Sequence, residues 1–101
     1  MPEAPESWGT MPLDELMALV QSTTERLSTQ FEEVAMDEGA YHRQFWKHWQ
    51  DLPGDMTIAA MNRDCELVCK ELREQVILGT SIREGLTAKR DALIAILEAR
   101  S

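Results

Sequence analysis

The sequence predicts an all-α fold, a long antiparallel helical hairpin, on three observations. Apolar residues recur every three or four positions along most of the chain. No stretch alternates β-branched and polar residues as a half-buried strand would. One strong break, Asp51-Leu52-Pro53-Gly54-Asp55, divides the periodic pattern near its middle. With 101 residues, 44% of them hydrophobic and 28% charged, the chain has material for one small domain with a core, which separates it from disordered acidic tails.

Residues 1–12 (MPEAPESWGTMP) hold three of the four prolines and no periodicity, and are expected to form a flexible leader whose Trp8 either dangles or docks on a neighbour. Residues 13–101 then form a single hairpin domain. The first arm carries Leu16, Val20, Thr23, Leu27, Phe31, Val34, Glu38, Tyr41, Phe45, His48 and Leu52 at spacings of three and four, one stripe of an α-helix. The doubled four at Thr23–Leu27–Phe31 is a stutter that locally unwinds a left-handed coiled coil. Asp14 and Glu15 suit the positive end of the helix dipole. A helix of about 38 residues would be roughly 57 Å long.

The second arm starts near Met56 or Thr57, with the stripe Ile58, Met61, Cys65, Val68, Leu72 and Val76. At Leu78-Gly79-Thr80-Ser81 two outcomes are open. Ser81 and Glu84 can form a capping box that starts a third helix, or one helix runs on, kinked near Gly79. A glycine costs a helix interior only about 1 kcal/mol, which favours continuity. Ile82, Leu86, Leu93, Ile96 and Leu97 supply the last apolar face. Two helices have one contact line, yet Trp46, Trp49, Cys69, Ile77, Leu78 and Ile94 fall outside these stripes. The surplus predicts a coiled-coil-like homo-oligomer.

The formal charge of −8 is unevenly placed along the chain. Residues 1–40 hold nine acids and one base, whereas residues 41–101 hold nine of each. Net acidity opposes general duplex-DNA binding, because phosphate attraction needs a positive field. It leaves room for a local site after residue 40. No window is apolar enough to span a membrane, and the N-terminus lacks the pattern of a signal peptide, so a cytoplasmic protein without membrane contact is expected. Cys65 and Cys69 lie four apart on one helix face and read as core thiols; no metal and no other cofactor is expected, since His42 and His48 lie on different faces. No glycine-rich phosphate loop, paired nucleophile and base, or singled-out carboxylate pair is present, so no catalytic residue is assigned and the chain is expected not to be an enzyme.

The segment from Tyr41 to Trp49 interleaves four aromatics with two bases and two histidines. Tyr41, Arg43, Trp46 and Lys47 are candidates for a platform on which single-stranded nucleic acid stacks. The competing reading is a packing cluster near the bend, with Trp46 or Trp49 turned to a second subunit. Along the second arm, Arg63, Lys70, Arg73, Lys89 and Arg90 either track phosphates or form a solvated face with intervening acids.

The order Leu13-Asp14-Glu15-Leu16, Gly39-Ala40-Tyr41, Thr57-Ile58-Ala59-Ala60 and Lys89-Arg90-Asp91-Ala92-Leu93 resembles a group of small helical proteins of phages and prophages of Gram-positive bacteria. Those are in turn distantly similar to UvsY-type recombination mediators. The resemblance covers about residues 13–101 and rests on helix order and dispersed residues. It implies an oligomer that binds single-stranded DNA, or a recombination or replication protein, in the host cytoplasm, with Arg63, Lys70, Arg73, Lys89 and Arg90 facing DNA near Tyr41 and Trp46. The acidity of residues 1–40 departs from that pattern and supports an alternative, an inhibitor that offers Glu32, Glu33, Asp37, Glu38 and Trp49 to a basic nucleic-acid-binding host protein. A third alternative is a purely structural assembly component.

Overall fold

The computed structural model describes residues 5–100 and is all-α, a helical hairpin with no strand among the described residues. Helix α1 spans Leu13–Gln50, and α2 (Ile58–Val68) and α3 (Lys70–Arg100) form the returning arm. The 38-residue α1 has the length that periodicity predicts. It ends because Pro53 cannot continue a helix and restrains Leu52 before it. The last amides tighten to i−3 acceptors, Asp51 N–H to the His48 carbonyl and Leu52 N–H to the Trp49 carbonyl, at 3.1 and 3.2 Å. Thr57 restarts the helix as an N-cap, its hydroxyl accepting from the Ala60 amide at 3.2 Å.

The described residues fall into two compact units. The terminal unit joins the chain up to Phe31 with the chain from Ile82 onward, and the bend unit is Glu32–Ser81. In the terminal unit Trp8, Leu16 and Leu93 form a buried cluster flanked by Met11, Leu19, Val20, Ile96 and Leu97. Arg100 closes it by donating to the Met11 carbonyl at 2.6 Å. In the bend unit the buried residues are Val34, Cys65, Cys69 and Gly79. His48 and Asp64 meet there between the two arms at 2.7 Å.

Two expectations are corrected and one open alternative is decided. The leader is structured over Pro5–Thr10, a 3-10 helix, and Trp8 is buried on its own hairpin, because a Trp that covers Leu16 and Leu93 removes a large apolar area from water; residues 1–4 lie outside the described residues. At Gly79 the helix continues, as the small cost of a helix-interior glycine favours: Gly79 and Ser81 both lie inside α3, so Ser81–Glu84 starts no third helix there. The interruption falls at Cys69 (φ −95°, ψ 12°), between α2 and α3. Inward positions there run Met61, Cys65, Cys69, two fours in succession, and such a stutter is absorbed by local unwinding. Finally, the inward stripe of α1 passes through the half-buried Gln30 and Asp37, leaving Phe31 and Glu38 exposed. The doubled four therefore sits at Asp37–Tyr41–Phe45 rather than at Thr23–Leu27–Phe31.

Candidate interaction surface

The aromatic segment lies in the bend unit, on the last turns of α1. Tyr41, Phe45 and Trp49 are four apart and hence stacked along one side of the helix. Their rings form a ladder, with Tyr41–Phe45 centroids 5.9 Å apart and Phe45–Trp49 stacked at 6.2 Å and 22°. Trp46 joins from the side, edge-on to Phe45 at 5.4 Å and tilted against Trp49 at 5.6 Å. His42 meets the Tyr41 ring edge-on at 5.5 Å. Tyr41, Phe45 and Trp49 are half-buried, so most of the ladder is packing, whereas Trp46 is 55% exposed.

The bases of this segment do not accompany its rings. At 100° per residue, Arg43 and Lys47 lie roughly 180° round α1 from the Tyr41–Phe45–Trp49 line. They border an open groove of about 500 Å³ on the other flank, with Gln44, Asp51, Val68 and Leu72. Arg43 also folds back over Gly39, where a Cβ would come 3.1 Å from its Nη1, and so points away from Trp46. The cation that does meet the aromatic side is Arg73. It shares a second open groove, about 380 Å³, with Tyr41, His42, Glu38, Glu66 and Ile77. Arg63 and Lys70 are exposed elsewhere on the returning arm. Lys89 and Arg90 belong to the terminal unit, half-buried, and Arg90 is paired with Asp91 at 3.3 Å. Of the nine candidate nucleic-acid residues, the structure thus brings Tyr41 and Arg73 into one groove, with Trp46 beside Tyr41's ladder, and separates Arg43 and Lys47 from them.

Folding also redistributes the charge. The aromatic segment folds together with Glu32, Glu33, Asp37 and Glu38, and the bend unit holds ten acids against five bases, a net of −5. The terminal unit holds eight against five, a net of −3. Nor do the four acids of α1 make a patch. Positions 32, 33, 37 and 38 spread round the helix by roughly 240° at 100° per residue, and Asp37 is half-buried on the inward side. Trp49, half-buried in the ring ladder, is not displayed beside them.

Cys65 and Cys69 are fully buried and both reduced, as core thiols should be. Burial pushes both thiols above their ordinary value near 9, and the neighbouring Cys69 and Asp64 push Cys65 further. That makes them poor nucleophiles. Among the described residues no three of His, Cys, Asp and Glu are grouped closely enough to hold a metal ion. No helix is long and apolar enough to cross a membrane.

Sequence reasoning missed Phe31 as a surface residue. The Arg83 guanidinium lies over its ring, 4.8 Å from the centroid, a contact that sequence separation conceals. Of the five returning-arm bases that the resemblance sets near Tyr41, nothing in the sequence singles out Arg73 as the one that shares its groove. No family model, no curated protein and no solved structure matches this chain.

Proposed function

We propose that this chain is a non-enzymatic helical accessory module that works by self-association, an assembly component whose copies pack through exposed apolar side chains. The observation that carries this is the imbalance between buried and exposed large hydrophobics. Among the described residues eight hydrophobic side chains are buried, two of them cysteines, while Leu13, Met17, Phe31, Met36, Trp46, Ile58, Leu67, Val68, Ile77, Leu78 and Ile82 are each at least 43% exposed. A monomer that keeps this much apolar surface in water forgoes about 25 cal/mol for every Å² it could bury. Light scattering across a concentration series tests the proposal. A mass that rises above 11.5 kDa with concentration supports it, and a constant monomer mass at high concentration overturns it.

Single-stranded DNA, the partner class that the phage-protein resemblance implies, is a second reading, favoured by one observation. Arg73 faces the same groove as Tyr41 and His42, with the exposed Trp46 beside that ladder, so one cation and two to three rings can meet a short stretch of strand. Binding through so few cations to a unit of net charge −5 would be weak and lost with modest salt. Fluorescence anisotropy with a labelled oligonucleotide at two salt concentrations tests it, and Arg73→Ala should abolish any signal at low salt. The spread of Glu32, Glu33, Asp37 and Glu38 round α1 weighs against the acidic-inhibitor alternative, since a basic partner binds best to one coherent anionic face.

A further inference from the structure

Within the terminal unit, Leu13, Met17, Val20, Thr24, Ser28 and Phe31 follow one another along α1 at spacings of 4, 3, 4, 4 and 3. At 100° per residue they fall within about 80° of one another, roughly 90° from the inward line of Leu16, Thr23 and Leu27. The α1 residues of this second seam carry no charge, although the same stretch of helix holds Asp14, Glu15, Glu25 and Arg26, and a charge meets the seam from the returning arm, Arg83 over the Phe31 ring. All four charged residues lie off it. Leu13, Met17 and Phe31 are 47%, 55% and 49% exposed, and Val20 ties the seam to the buried Trp8–Leu16–Leu93 cluster. The Thr24 hydroxyl is committed to its own helix, donating to the Val20 carbonyl at 2.8 Å. It can therefore be taken out of water without leaving an orphaned donor.

We propose that this seam is the contact face for a second copy of the chain, packed about a two-fold axis near residue 22 with the two α1 helices antiparallel. This rests on the self-association reading above and names its surface. The occupant follows from two properties of the seam. An isologous contact requires that if residue i meets j, then j meets i. An antiparallel register centred near residue 22 meets that requirement and sets Leu13 opposite the second copy's Phe31, Val20 opposite its isosteric Thr24, and the long Met17 within one residue's rise of its short Ser28. Charge gives the second property. Two chains of net charge −8 repel one another. The neutral seam allows them to approach with Asp14, Glu15 and Glu25 turned aside. A basic partner would choose an anionic face, and a nucleic acid would find only Arg83 of the returning arm, over Phe31, in place of a basic track. The seam from Leu13 to Phe31 is about 27 Å long at 1.5 Å per residue, five turns of contact on each copy.

Sedimentation equilibrium on the full chain and three variants tests the proposal, with circular dichroism confirming that helix content is unchanged. Met17 is more than half exposed, so Met17→Glu leaves the hairpin folded while placing an unpaired carboxylate against the second copy. Its dissociation constant is expected to rise at least about tenfold. Adding Ser28→Lys should restore association to within about threefold of the unaltered chain at low salt, and the restoration should fade at high salt. Within one helix residues 17 and 28 are about 16 Å apart, too far to pair, so rescue reads contact between copies. Met36→Glu, outside the seam and 72% exposed, should leave association unchanged. A monomeric unaltered chain overturns the self-association reading and this face with it. An oligomer that Met17→Glu leaves intact overturns only the face. Dissociation by Met17→Glu without rescue by Ser28→Lys overturns the antiparallel register.

Discussion

In the terminal unit the buried hydrophobics are Trp8, Leu16, Leu27, Leu86 and Leu93; in the bend unit they are Val34, Cys65 and Cys69. The first set is long and branched, so each residue removes much apolar area from water. The second is small, and its large side chains, Tyr41, Phe45 and Trp49, sit half-buried at the edge. Burial is worth about 0.8 kcal/mol per CH₂, so the two units differ in what holds them although both are built from the same two arms. The bend unit also concentrates more negative charge, −5 against −3. It compensates with a polar contact, the His48–Asp64 pair, whose members are 28% and 46% exposed and which is therefore modest in strength. On these differences the bend unit is expected to open before the terminal unit, with faster hydrogen exchange as the readout.

The largest expected effect comes from cutting each core. Leu93→Ala should destabilise the chain by about 3 kcal/mol in urea denaturation, whereas Cys65→Ala, which removes one sulfur, should cost about 1 kcal/mol. Equal losses would break the comparison. The bend-unit thiols add a pH signature of fixed sign. In the unfolded chain they ionise near 9, while burial holds them protonated to higher pH in the folded state. Above pH 9 the unfolded state then binds fewer protons, so stability is full below pH 9 and declines as pH rises from there. Denaturation midpoints at pH 8, 9 and 10 should fall for the unaltered chain and flatten when both cysteines are replaced by alanine.

Thr23 gives an effect of opposite direction in the terminal unit. It is 1% exposed and, like the indole N–H of Trp8, its hydroxyl is buried with no hydrogen-bond partner among the described residues. Thr23→Val replaces that hydroxyl with a methyl of similar shape and should raise stability by about 1 kcal/mol, measured as a higher urea midpoint. The smallest expected effects come from glycines within helices. A Cβ at Gly85, in the terminal unit, would meet nothing within 4 Å, and Gly85→Ala should gain about 0.8 kcal/mol in helix propensity. At Gly39, in the bend unit, the Cβ would meet the mobile end of Arg43, which must move aside, so Gly39→Ala should gain less, about 0.4 kcal/mol. Thermal midpoints of the two variants, measured side by side, check the order.

Much of the fold was legible because helices and breaks are local. The 3/4 spacing marked α1, Pro53-Gly54 marked its end, and the cysteines were placed in the core by the burial preference of their type. The inward line was less legible where polar residues lie on it. Gln30 and Asp37 look like surface and Phe31 looks like core, yet Arg83 over the Phe31 ring gives that aromatic a place outside. The break at Cys69 is hard to read for a similar reason, since glycine advertises flexibility and a run of two fours does not. Of the candidate site, the aromatic ladder could be read from its i, i+4 spacing. The placement of Arg43 and Lys47 opposite the ladder follows from the same spacing, whereas the turn of Arg43 back over Gly39 and the groove both bases border needed the structure.

What the sequence determined by itself is the helical class, the length of α1, the turn and the burial of both thiols, since each depends on residues within a few positions of one another. Tertiary structure decided the docking of Trp8 onto Leu16 and Leu93, the pairing of His48 with Asp64, the company Arg73 keeps with Tyr41, and the charge of each unit. Those depend on which residues of the returning arm lie beside which residues of the first. That alignment is set by the packing of the whole arm, and no short window of sequence contains it.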